Sequence, residues 1–124
     1  MGLDMYAVSI AKDDNRPATD FKLDDDNSSE LHYWRKHPNL HGWMESLYNV
    51  KGGENDDFNC NTVLITEADL NNLEKVVKAR TLPETSGFFF GQTTGEEYED
   101  DLEFIRKARE VLAQSRQVAY YAWW

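Results

Sequence analysis

The period of the apolar positions changes several times along this chain, and each change marks an element. From Leu3 to Ile10, the residues Met5, Tyr6, Val8 and Ile10 favour an extended backbone and predict a first strand. The pattern then collapses into Asp13, Asp14, Asp20 and Asp24-Asp25-Asp26, with Pro17 and Asn27-Ser28-Ser29 adding turn chemistry. Such a stretch predicts an acidic loop at about 12–29. A second strand follows over 30–36, alternating Leu31, Tyr33 and Arg35 on one face with His32 and Trp34 on the other.

Pro38 disfavours helix at His37 and suits the first helical position itself. From there Leu40, Trp43, Met44 and Leu47 recur at helical spacing and predict a helix that Lys51-Gly52-Gly53 ends. Gly42 inside it costs about 1 kcal/mol relative to Ala, so close packing against a neighbour is its expected reason. Thr62 to Ile65 reads as a short strand, and Thr66 with Asp69 as a capping box. Leu70, Leu73, Val76 and Val77 then mark a helix to about Ala79. A Gly/Thr/Ser-rich connection over 82–95 carries Phe88-Phe89-Phe90. The last helix runs over 96–113 with Tyr98, Leu102, Ile105 and Leu112 on one face, and an aromatic strand closes the chain over 118–124.

This order predicts an α+β fold: a small, mostly antiparallel sheet of about four strands packed with three helices, in a single domain over 1–124. At 124 residues the chain is long enough for one unstapled core. No apolar run is long enough to span a bilayer, and neither a signal peptide nor a myristoylation signal is recognisable at the N-terminus. A cytoplasmic location is therefore expected. A single cysteine, Cys60, excludes an intramolecular disulfide framework and is expected to be a small buried residue at a strand edge.

Charge narrows the chemistry. Thirteen Lys and Arg stand against 23 Asp and Glu, a net charge of −10, so direct binding of nucleic acid is not expected. His37 and His41 have the four-residue spacing of a zinc pair, but Pro38 places His37 outside the helix, so no metal site and no cofactor are expected. Phosphate-binding, serine-hydrolase and kinase motifs are absent.

The richest segment is 33–44, which packs three large aromatics, two adjacent bases and two histidines into twelve residues. Arg35 and Lys36 beside Trp34 suit an anionic or ring-bearing ligand, because a guanidinium grips carboxylate or phosphate while an aromatic supplies an apolar face. The candidate ligand-binding set is Trp34, Arg35, Lys36, Asn39, His41, Trp43 and Phe89. The alternative is structural: Arg35 paired with Glu30 or an acid of the loop, and Trp34 and Trp43 filling core.

The opening Met-Gly-Leu-Asp-Met-Tyr, the Tyr33-Trp34-Arg35-Lys36 segment, Ser86-Gly87-Phe88-Phe89-Phe90-Gly91, the Ile65–Leu70 helix start and the aromatic end at 120–124 together resemble a family of small uncharacterised bacteriophage and bacterial proteins. The resemblance runs nearly end to end. Members are sometimes labelled phosphoglycerate kinase, yet 124 residues are too few for that enzyme's two domains. The resemblance implies an accessory protein with no assigned reaction. The leading expectation is therefore binding of a host protein or a small anionic, nucleotide-like ligand, and not catalysis. The alternative is a small enzyme acting on a nucleotide-like or phosphorylated substrate with His41 as acid or base, and a third reading is an acidic polyanion mimic. The aromatic C-terminus makes a homo-oligomer plausible.

Overall fold

The computed structural model describes residues 2–23, 28–55, 58–85, 95 and 97–124. The Phe88–Phe90 run, with Phe89 of the candidate set, and the acids at 24–26 lie outside the described residues. The elements follow as β1 (Asp4–Ala11), β2 (Ser28–Arg35), α1 (Pro38–Val50), β3 (Val63–Ile65), α2 (Glu67–Ala79), α3 (Tyr98–Ala113) and β4 (Arg116–Trp123). The four strands form one antiparallel sheet in the order β2-β1-β4-β3. This is the α+β architecture expected from the periodicity.

The sheet has two unlike faces. On one, Leu3, Met5, Ala7, Trp34, Val118 and Tyr120 meet the buried stripes of all three helices in the main core. On the other, residues 12–23 fold back so that Phe21 and Leu23 cover Val8, Ile10 and Ala119. The loop is thus partly built into the fold: Thr19 bridges to Val63, and the Thr62 hydroxyl donates to the Phe21 carbonyl at 2.7 Å. The remainder of that second face carries a row of tyrosines.

The local chemistry explains the helix ends. Pro38 stands in the first turn of α1 after His37, as a residue with no N–H to satisfy should. Thr66 and Asp69 close a reciprocal capping box at α2, and Lys51 pairs with the same Asp69 while donating to the Leu64 carbonyl at 2.6 Å. A Cβ at Gly42 would collide with the Thr85 side chain, so only glycine lets residues 81–85 cross α1 this closely.

Three sequence expectations need correction. Cys60 is exposed, in a turn with φ of 66°, because the chain reverses there before β3 and no core reaches it. The second strand begins at Ser28, two residues earlier than expected, since Ser28 and Ser29 pair with Ile10 and Ser9 despite their turn chemistry. The buried face of α3 is Asp101, Phe104, Ile105, Ala108 and Val111, with Leu102 and Leu112 at its margin. A carboxylate inside that stripe hid its phase from a hydrophobicity count.

Candidate functional site

The buried carboxylate organises the site. Asp101 is 2% exposed and lies under the β2–α1 junction. Its Oδ1 accepts the indole N–H of Trp34 at 3.1 Å, and its Oδ2 lies 2.8 Å from Nε2 of His37. A carboxylate can only accept, so the proton of that second contact sits on His37 Nε2. The other ring nitrogen of His37 faces Glu97, with Nδ1 at 3.6 Å from Oε2. A chain of polar groups therefore runs from the core residue Trp34, through Asp101 and His37, to Glu97 at the start of α3.

That chain opens onto a pocket of about 330 Å³. Its polar wall comprises His37, Asn39, Arg80, Glu97, Tyr98 and Asp101, and its apolar floor includes Val77 and Leu82. Each wall comes from a different element end: the first turn of α1, the residue that caps α2, and the approach to α3. Arg80 caps α2 in the left-handed conformation, φ 57° and ψ 42°, where glycine is the usual occupant. Its guanidinium lies 4.3 Å from the centre of the Tyr98 ring, a cation–π contact. Among the described residues no acid pairs with it. Asn39 accepts the Thr85 N–H at 3.0 Å, which fastens residues 81–85 to the rim.

A second His–Asp contact lies beside the first. His32 Nε2 is 3.0 Å from Asp100, its ring packs tilted against Trp34 with centroids 4.5 Å apart, and Lys107 Nζ stands 3.3 Å from Nδ1. Consecutive acids of α3 thus meet the two histidines that flank Trp34 in sequence. The arrangement fixes α3 on the edge strand β2 through polar contacts in which both histidines and Asp101 are buried while Asp100 is half exposed.

The described members of the sequence-derived set divide among five places. Trp34 and Asn39 belong to the region just described, Trp34 behind the pocket and Asn39 on its wall. Arg35 lies on the opposite face of the sheet, 3.5 Å from Asp4, which also accepts the Tyr33 hydroxyl at 2.6 Å. The acid beside Arg35 is therefore Asp4 and not Glu30. Lys36 turns the chain with φ of 56° while its N–H donates to the Leu3 carbonyl at 2.9 Å. His41 is sealed in the core, its Nδ1 2.7 Å from the Tyr120 hydroxyl, between Phe58 and Trp124. Burial lowers its pKa to about 4, which keeps the ring neutral. Trp43 packs at the margin of the main core.

Arg80, Glu97 and Asp101 were not singled out from the sequence, and His37 was weighed only as one half of a metal pair with His41. The signal available for Asp101 was its place at i, i+3, i+4, i+7 and i+10 with Phe104, Ile105, Ala108 and Val111. Arg80 offered only its position just after the last apolar residue of α2. Among the described residues no group of three His, Cys, Asp or Glu is placed to hold a metal ion, and no helix is long and apolar enough to cross a membrane. No protein-family model matches the chain, and neither does any curated protein or solved structure.

Proposed function

We propose that this protein acts by binding a small anionic ligand in the pocket between the first turn of α1, the cap of α2 and the start of α3. The observation that carries the reading is Arg80. In a chain of net charge −10, its guanidinium rests on Tyr98 at the pocket, with no acid beside it among the described residues. Stacking holds the plane of the guanidinium and leaves its edge donors for a carboxylate or phosphate. The left-handed backbone beneath it argues in the same direction. An L-residue there costs about 1–2 kcal/mol, a cost that glycine would avoid. Five other non-glycine residues share that conformation, so the pocket and the stacking distinguish Arg80, and the backbone only adds to them.

In this reading the protein is an accessory binder of the kind its resemblance to small bacteriophage proteins implies, working in the host cytoplasm on a nucleotide-like or carboxylated metabolite. The test is a thermal-shift and calorimetric titration with inorganic phosphate, ethyl phosphate, phenylpropionate and AMP. Stabilisation of the wild-type protein by at least one of these anions is expected, and its loss in Arg80→Ala. A wild-type protein that no anion of this panel stabilises contradicts the reading.

A further inference from the structure

Charge in and around the pocket points to a narrower class of ligand, an inference that rests on the anion-binding reading above. Arg80 is the one Lys or Arg side chain on the described wall, while Glu97 and Asp101 contribute two carboxylates with His37 between them. Asp101 is already occupied from both sides, by the Trp34 N–H and by His37. Glu97 is different in placement: about a fifth of its side chain is exposed, and its carboxylate meets His37 at the pocket wall. An anion entering this space is drawn to Arg80 and repelled by Glu97, within a chain whose overall field is already negative. A cation meets the reverse. A ligand that bears both charges satisfies both walls at once.

We propose that the natural ligand carries a protonated amine together with its carboxylate or phosphate, with the anionic group on Arg80 and the ammonium on Glu97. Asn39 stands on the same wall, its side-chain oxygen already receiving the Thr85 N–H, and adds polar surface near the bound group. Val77 and Leu82 give the ligand's carbon skeleton an apolar floor. A cavity of about 330 Å³ is at the small end of ligand pockets and suits a compound of metabolite size. The polar chain from Trp34 through Asp101 fixes His37, which forms the back of the pocket beside Glu97. A wall held in place this way adds no new ordering cost on binding.

Two matched pairs of probes test this on the intact chain: phosphoethanolamine against ethyl phosphate, and phenylalanine against phenylpropionate. Within each pair the members differ mainly by the ammonium group, and the two pairs separate phosphate from carboxylate as the anionic group. In at least one pair the amine-bearing member is expected to bind at least tenfold more tightly by calorimetry. Glu97→Gln should remove that advantage, with the amine-free member binding at least as tightly as it does to the wild-type protein. Arg80→Ala should abolish binding of both members. Equal affinities within both pairs overturn the inference, as does an amine preference that survives Glu97→Gln. If no paired probe binds while AMP still stabilises the protein through Arg80, the inference falls and the anion-binding reading stands. If nothing binds, both fall. Circular dichroism and the unfolding midpoint of Glu97→Gln establish that the variant is folded, so that lost discrimination is not lost structure.

Discussion

Strand β2 presents two chemistries from alternate residues, and comparing them shows what burial does to similar side chains. On the helix side, His32 and Trp34 point into the protein, where the Trp34 N–H donates to Asp101 and the two His32 ring nitrogens lie 3.0 Å from Asp100 and 3.3 Å from Lys107 on α3. On the other side, Tyr33 packs tilted against Tyr6 at 5.2 Å, Tyr6 stacks against Tyr121 at 5.1 Å, and Arg35 approaches Asp4. Tyr33 is 42% exposed and Trp123, in the same region, 48%. Both sides hold aromatics, a base and an acid. Only the helix side makes a desolvated network ending at a pocket, and there a lost partner leaves an unpaired group that water cannot satisfy. Across the sheet water remains the alternative partner.

The comparison breaks most visibly at Asp101. Asp101→Ala should cost about 3–5 kcal/mol by urea denaturation, because it strands both His37 and the Trp34 N–H in the core. Asp101→Asn, which keeps an acceptor, should cost less. A loss under 1 kcal/mol for the alanine variant would mean that the network is ornamental.

Acid should reveal the other buried histidine. His41 has a folded pKa of about 4 against 6.5 in the unfolded chain, because burial disfavours its charged form. Its contribution to stability is therefore complete above pH 6.5 and is lost as pH falls toward 4, since the unfolded state takes up the proton first. The full effect is about 3 kcal/mol. His41→Gln should flatten the pH dependence of the unfolding free energy across that window. An unchanged slope would show that His41 is hydrated or charged in the folded protein.

Arg80→Gly sharpens the division between stability and binding. Glycine relieves the left-handed backbone, while the contact with Tyr98 is lost, so folding free energy should change by no more than about 1 kcal/mol. Ligand affinity should nevertheless disappear. A large destabilisation would make Arg80 a structural residue. Smallest of all should be Arg35→Ala on the open face, within about 0.5 kcal/mol and without effect on ligand affinity.

These contrasts also explain what was legible in the sequence. Element order and type could be read because each element has an apolar period, a proline, or a cap such as Thr66 with Asp69. The split of β2 into a His32/Trp34 face and a Tyr33/Arg35 face followed from strand alternation, but Leu31, expected beside Tyr33 and Arg35, packs against the main core because the register shifts opposite Ala7 and Val8. What escaped was the meeting of distant segments. Nothing in the neighbourhood of Asp101 says that it lies under Trp34, 67 residues earlier. Arg35 and Lys36 drew attention because bases beside aromatics are rare in an acidic chain, yet strand alternation sends Arg35 to the face away from Trp34. His41 drew attention by its spacing from His37, but one turn of helix carried it into the core beside Tyr120. Sequence proximity suggested one site, whereas the sheet divides those residues between its two sides.

The central claim is that the ligand site lies on the helix side, at the pocket around Arg80, and not on the tyrosine face around Arg35. The most direct measurement is a two-dimensional amide and side-chain NMR titration with AMP and phosphoethanolamine. Shift changes confined to His37, Asn39, Arg80, Tyr98 and the Trp34 indole N–H are the predicted result. Changes confined to Tyr6, Tyr33, Arg35 and Tyr121 would contradict it.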